Sequence, residues 1–183
     1  KTYNNILSFI AVVLGAVSFF LMLSPVLELT ILTQDGLNVV PITDYLVGFD
    51  VMFRTPTPTL GLPAFSFAAW LMYILPVVFA VLIFIPNEEL EKTKNYLVIR
   101  NFVFSGILVI VSVYYFLDII RVGEYFMRIM LGDARVVDID YAILSGTYFT
   151  TAFNVIFAGF LAFFGFKELQ FQKEKINKIG DRK

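Results

Sequence analysis

Four long stretches of this chain carry no charged residue: Thr2–Leu27, Thr55–Asn87, Asn101–Leu117 and Tyr141–Phe166. A helix needs about 20 apolar residues, within a range of roughly 17–25, to cross the hydrocarbon core of a bilayer. Each stretch reaches that length. Inside hydrocarbon the backbone must satisfy its own polar groups, and an unbroken apolar run does so as a helix. The pattern predicts an all-α integral membrane four-helix bundle. It forms a single membrane domain over 1–183, with helices at about 5–23, 64–85, 101–131 and 142–166. The apolar part of the first stretch is longer than the core of a signal peptide and no small-residue cleavage site follows it, so a retained helix is expected.

The charges between the stretches set the expected topology. All eight Lys fall at Lys1, in the 88–100 connection (Lys92, Lys94) or after Phe166 (Lys167, Lys173, Lys175, Lys178, Lys183). With Arg100 and Arg182, ten basic residues lie on one side; Arg54, Arg121, Arg128 and Arg135 are the four on the other. Basic residues stay cytoplasmic. Both termini and the 88–100 connection are therefore expected inside, with outer loops at about 24–63 and 132–141 and a cytoplasmic tail at 167–183. A multi-pass protein of the plasma membrane is expected. Tyr3 and Tyr96 suit the inner interface; Trp70, Tyr141 and Tyr148 suit the outer one.

The chemistry is thin. Only 16% of residues are charged, against about 25% in soluble domains. There is no Cys and no His, which removes disulfides, Cys/His zinc sites, His-ligated haem and the commonest general acid–base group. No phosphate-binding loop, dinucleotide fingerprint or Ser/His/Asp arrangement is present. No catalytic residue, cofactor or metal is expected, and no nucleic-acid partner. Ion-coupled transport usually leaves an ionisable residue at membrane depth; spans 1, 2 and 4 have none. The charged cluster Asp118, Arg121, Glu124 and Arg128 has i,i+3 and i,i+4 spacing and reads as structural ion pairs on a helix surface.

The helices differ in their faces. In the first, Ser8, Ala11, Gly15 and Ser18 form a stripe of small residues, the means by which helices approach closely in lipid. In the fourth, Thr147, Thr151, Asn154 and Ala158, continued by Ala162 and Gly165, form a second stripe expected to face helix 1 or a neighbouring subunit. Pro76 interrupts the second helix and Pro86 ends it. The third continues past its charge-free part to about Leu131, with Ile119, Val122, Phe126 and Ile129–Met130 as an apolar stripe. It should project outward and pack on the 28–54 segment. There, Glu28–Thr33, the turn residues Gln34-Asp35-Gly36, and Leu37–Thr43 read as a hairpin, with Pro41 marking an edge strand. Tyr45–Phe53 reads as a further strand or a short re-entrant turn. As a strand it places Phe49, Val51 and Phe53 on one face, to cap the bundle, dip into the outer leaflet or meet a partner. Val136–Tyr141 adds a short strand. The tail is basic and helix-prone, suited to lying on anionic lipid.

Inside termini, a β-prone first outer loop, a shorter second loop and an overshooting third helix together resemble the claudin-like class of four-helix membrane proteins. The strand pieces Glu28–Thr33, Leu37–Thr43, Gly48–Phe53 and Val136–Tyr141 would build its small extracellular sheet. The resemblance is one of layout: Gly48-Phe49-Asp50 stands where the family has Gly-Leu-Trp, and the family's signature Trp and Cys residues are absent. The expectation is a non-enzymatic interaction, assembly or accessory subunit. Its partners are membrane lipids and other membrane proteins, or copies of itself. The alternatives are a channel or transporter component, or a lipid-binding protein, using the polar stripe of helix 4. A membrane enzyme working through acids and Arg at the outer surface is the third.

Overall fold

The computed structural model describes residues 2–35, 37–54, 56, 65–84, 95–132 and 136–180, with side chains over 6–174 of these. The connector 55–64 (Pro56 apart), the connection 85–94 with Pro86, Lys92 and Lys94, and residues 133–135 lie outside the described residues, as do Lys1 and 181–183. The chain order is α1 (Thr2–Phe20), a 3-10 turn (Leu21–Leu23), β1 (Pro25–Asp35), β2 (Asn38–Val47), α2 (Gly48–Phe53), α3 (Phe67–Phe84), α4 (Tyr96–Met130), β3 (Val136–Ile143) and α5 (Ser145–Gly180). Four helices are long and apolar enough to cross a membrane, with apolar windows at Ile6–Leu23, Phe67–Phe84, Tyr96–Met130 and Ser145–Glu174. The four-span reading of the sequence stands on these.

The three strands form one antiparallel sheet in the order β2-β1-β3. The hairpin predicted around Gln34–Gly36 is present: Asp35 pairs with Asn38, leaving two connecting residues. β2 is an edge strand, as Pro41 required; Pro41 sits opposite Leu32. β1 alternates cleanly. Leu27, Leu29 and Ile31 are buried, while Glu28, Thr30 and Leu32 between them are not. Successive strand residues face opposite sides, so the first set points at the helices and the second points away.

Two apolar clusters hold the molecule together. At the sheet end, Leu27, Leu29 and Leu46 pack with Val51 and Met52 of α2, Met72 and Tyr73 of α3, and Tyr115, Ile119, Val122 and Phe126 of α4. At the other end, Leu7, Ala11 and Leu14 meet Phe79, Ala80, Ile83, Leu108, Phe157, Ala158 and Leu161. Ile119, Val122 and Phe126 thus do what their spacing predicted: the extension of α4 packs under the sheet. Its 35 residues make a helix about 52 Å long, against a hydrocarbon core of about 30 Å.

Four expectations are corrected. Gly48–Phe53 is a helix, not a strand. The Asp50 carboxylate accepts the Val47 backbone N–H at 3.1 Å, capping the first turn, and Gly48 seats against the Tyr73 hydroxyl, where any Cβ would overlap the ring. The last helix does not stop at Phe166 but runs to Gly180. Its continuation, Lys167-Glu-Leu-Gln-Phe-Gln-Lys-Glu174, is made of good helix formers with no Gly or Pro to stop it. Residues 142 and 143 belong to β3 rather than to that helix, and α4 starts at Tyr96 rather than 101. A charge such as Arg100 marks the edge of an apolar run but does not end a helix.

Candidate functional site

The two small-residue stripes meet inside the chain. Ser8 donates to the Ile83 carbonyl at 3.5 Å. Ala11 is fully buried in the same cluster as Ala158. Gly15 lies so close to α3 that a Cβ would stand 2.8 Å from the Ala80 Cβ and 3.0 Å from the Pro76 carbonyl oxygen. Ser18 donates to the Asn154 carbonyl oxygen at 3.4 Å, and the Asn154 amide donates to the Thr150 carbonyl at 3.1 Å. The stripe on α1 therefore serves α3 through most of its length and α5 at its end. The stripe on α5 meets helix 1 at Asn154, ties to β1 through Thr147, and at Gly165 lies against Phe102 and Asn101 of α4.

Around this contact lies a buried polar layer. Thr147 donates to the Val26 carbonyl at 2.8 Å, tying the start of α5 to β1. Thr151 donates back to the Thr147 carbonyl at 2.8 Å. The hydroxyls of Tyr73 and Tyr115 share a hydrogen bond of 2.8 Å, their rings edge to face. Ser112 bonds the Leu108 carbonyl at 2.7 Å. Thr150 Oγ1 is buried without a partner in hydrogen-bond geometry. These groups are neutral hydroxyls and amides, which hold helices together in an apolar interior but supply neither a nucleophile–base pair nor a charge relay.

The charged cluster closes as its spacing predicted. Arg121 pairs with Asp118 at 2.5 Å and Arg128 with Glu124 at 3.8 Å. The pairs are unequal. Both partners of the second stand in the open, whereas the Asp118 side chain is only 1% exposed. The other Asp118 oxygen accepts a hydrogen bond from the Ser66 hydroxyl, and Ser66 Oγ accepts the Ala69 backbone N–H at 3.0 Å. Ser66 is thus the N-cap of α3 and at the same time the link from α3 to α4. Sequence reasoning missed it. The signal was there, a Ser immediately before an apolar helical run. Among the described residues no group of three His, Cys, Asp or Glu is placed to hold a metal.

The exposed surface has four notable parts. The sheet's far side carries Glu28, Thr30 and Leu32, flanked by Tyr45 and Thr43 on β2 and by Asp140 and Asp138 on β3. The hairpin tip exposes Leu37 completely, with Val39 and Val40 beside it. On α2 the predicted trio separates: Val51 is fully buried, while Phe49 and Phe53 turn outward and pack on each other at 4.6 Å. A helix, unlike a strand, does not keep alternate residues on one face. A shallow apolar groove on α5 is lined by Ile156, Gly159, Phe160 and Phe163. No protein-family model matches the chain, and no curated protein matches it.

Proposed function

We propose that this chain is a non-enzymatic four-span protein of the plasma membrane, with both termini cytoplasmic. It serves as an interaction, assembly or accessory subunit and presents its sheet as an extracellular cap to another membrane protein. The observation that carries this is the hairpin tip, where Leu37, Val39 and Val40 stand exposed at the end of a well-anchored sheet. Exposed apolar side chains clustered beyond the packed core are the usual mark of an interaction surface. The sheet cannot swing freely, because Leu27 and Leu29 of β1 lie in the core with the helices and Tyr141 and Ile143 of β3 pack against it. The claudin-like layout supports the same reading: strand order, overshooting third long helix and short second loop all suit a cap used for contacts.

The stripes of Ser8, Ala11, Gly15, Ser18 and of Thr147, Thr151, Asn154, Ala158 act in this reading as packing faces, leaving the cap as the partner surface. Chemical cross-linking followed by extraction in mild detergent tests it. The wild-type chain should recover a partner or oligomer, and the double variant L37D/V39D should lose it without a change in melting temperature. A strictly monomeric wild-type chain that recovers no partner overturns the reading. A channel, transporter component or lipid-binding protein using the polar stripe of the last helix is the second reading. The buried polar side chains Thr147, Thr150 and Asn154 along that helix favour it. It fails when N154L leaves flux and lipid binding unchanged.

A further inference from the structure

The helix α2 sits at the level where two apolar spans end. Its first residue, Gly48, touches the hydroxyl of Tyr73. Tyr73 lies six residues after Phe67, the first residue of α3, about 9 Å down the helix at 1.5 Å per residue. Gly48 N–H donates to the Ser24 carbonyl at 3.3 Å, at the end of the apolar window Ile6–Leu23, and the Val51 carbonyl accepts Ser66 N–H at 3.0 Å. These contacts fix α2 at the level where two spans end. Val51 and Met52 turn into the core; Phe49 and Phe53 are 39% and 51% exposed on the opposite side. At the same level α3 exposes Phe67 and Trp70, with Phe65 exposed just before it. Arg54 closes α2 in the left-handed region with φ of 58° and is itself exposed.

We propose that α2 is a re-entrant foot of the cap, seating Phe49 and Phe53 in the boundary between headgroups and acyl chains of the outer leaflet. The occupant is lipid because this face lies at the level where α3 exposes Phe67 and Trp70, and a surface at span level meets the bilayer, not water. Aromatic rings with a cation at one end are the composition that such a boundary selects. Arg54 stands where its guanidinium meets lipid phosphate. The proposal rests on the membrane reading of the four helices and is independent of any protein partner at the hairpin tip.

Fluorescence quenching tests it, because the chain has a single Trp, Trp70. In a W70F background, F53W and L37W are made separately in the full chain and reconstituted into phosphatidylcholine vesicles. The F53W protein should be quenched by lipid brominated near the headgroup end of its acyl chains. Its iodide quenching constant should be several-fold below that of the L37W protein, which bromolipid should leave unquenched. Iodide quenching equal to that of L37W, with no effect of bromolipid, overturns the proposal by placing the face in water. Shielding from both quenchers overturns it too, by placing a second protein surface there. If F53W does not reconstitute, F49W takes its place with the same expectations.

Discussion

Ser18 and Asn154, 136 residues apart, share a hydrogen bond in the fully buried interior. That bond joins the first helix to the last, and it is the point where the two small-residue stripes converge. Interhelical bonds of this kind are worth about 0.6 kcal/mol on average and up to about 1.7 in double-mutant cycles. A cycle of S18A and N154A, read as unfolding in mild detergent, should give a coupling of about that size. A coupling of zero would mean that the two side chains do not hold each other.

The glycines separate packing faces from open ones. G15A puts a methyl group against Ala80 and the Pro76 carbonyl, and overpacking of this kind costs about 1–3 kcal/mol. G106A and G159A meet nothing within 4 Å. They should be neutral or stabilising, by up to about 1 kcal/mol from helix propensity. Melting temperatures of the three variants check the ordering.

Asp118 and Glu124 have the same partner type and opposite surroundings. D118A strands Ser66 Oγ and unties α3 from α4, a loss of about 1–3 kcal/mol. E124A removes an exposed pair and should shift stability by no more than about 0.5 kcal/mol. Equal effects in thermal unfolding would contradict the burial difference.

The orientation is open to labelling, because the chain has no native Cys. Single replacements L37C and V137C in the sheet should react with an impermeant maleimide on intact cells. K173C, near the other end, should react only after permeabilisation. The reverse pattern would invert the topology and, with it, the cap's access to an extracellular partner.

Much of this architecture was legible because it rests on periodicity and charge. Spans show as uncharged runs. The extension of α4 shows as Ile119, Val122 and Phe126 at helical spacing, and the hairpin shows as two β-prone pieces around Asp35-Gly36. The stripes ending at Ser18 and Asn154 show as small residues every three or four positions. What was not legible depends on contacts between distant segments. Phe49, Val51 and Phe53 alternate like a strand. The choice of helix comes from the Asp50 cap and from the space that Gly48 leaves for Tyr73, which belongs to another element. Ser66 could be read as a cap, but nothing local says that its hydroxyl donates to Asp118, 52 residues on. The Tyr73–Tyr115 pair was hidden for the same reason: an aromatic residue in an apolar run looks like lipid-facing bulk until its neighbour is known.

The strand order has a consequence for how the chain is made. β1 follows the first helix directly, yet one of its two edges is filled only by β3, which immediately precedes the last helix. During synthesis the hairpin β1–β2 is complete long before residues 136–143 exist. For that interval β1 presents a row of unpaired N–H and C=O groups, an open edge able to accept a strand from another chain. Closing it requires pairing across more than a hundred residues, the slow kind of step in folding. Biogenesis therefore passes through a vulnerable intermediate with its last helix not yet made and its sheet unfinished, and truncation before Val136 leaves that edge permanently unsealed.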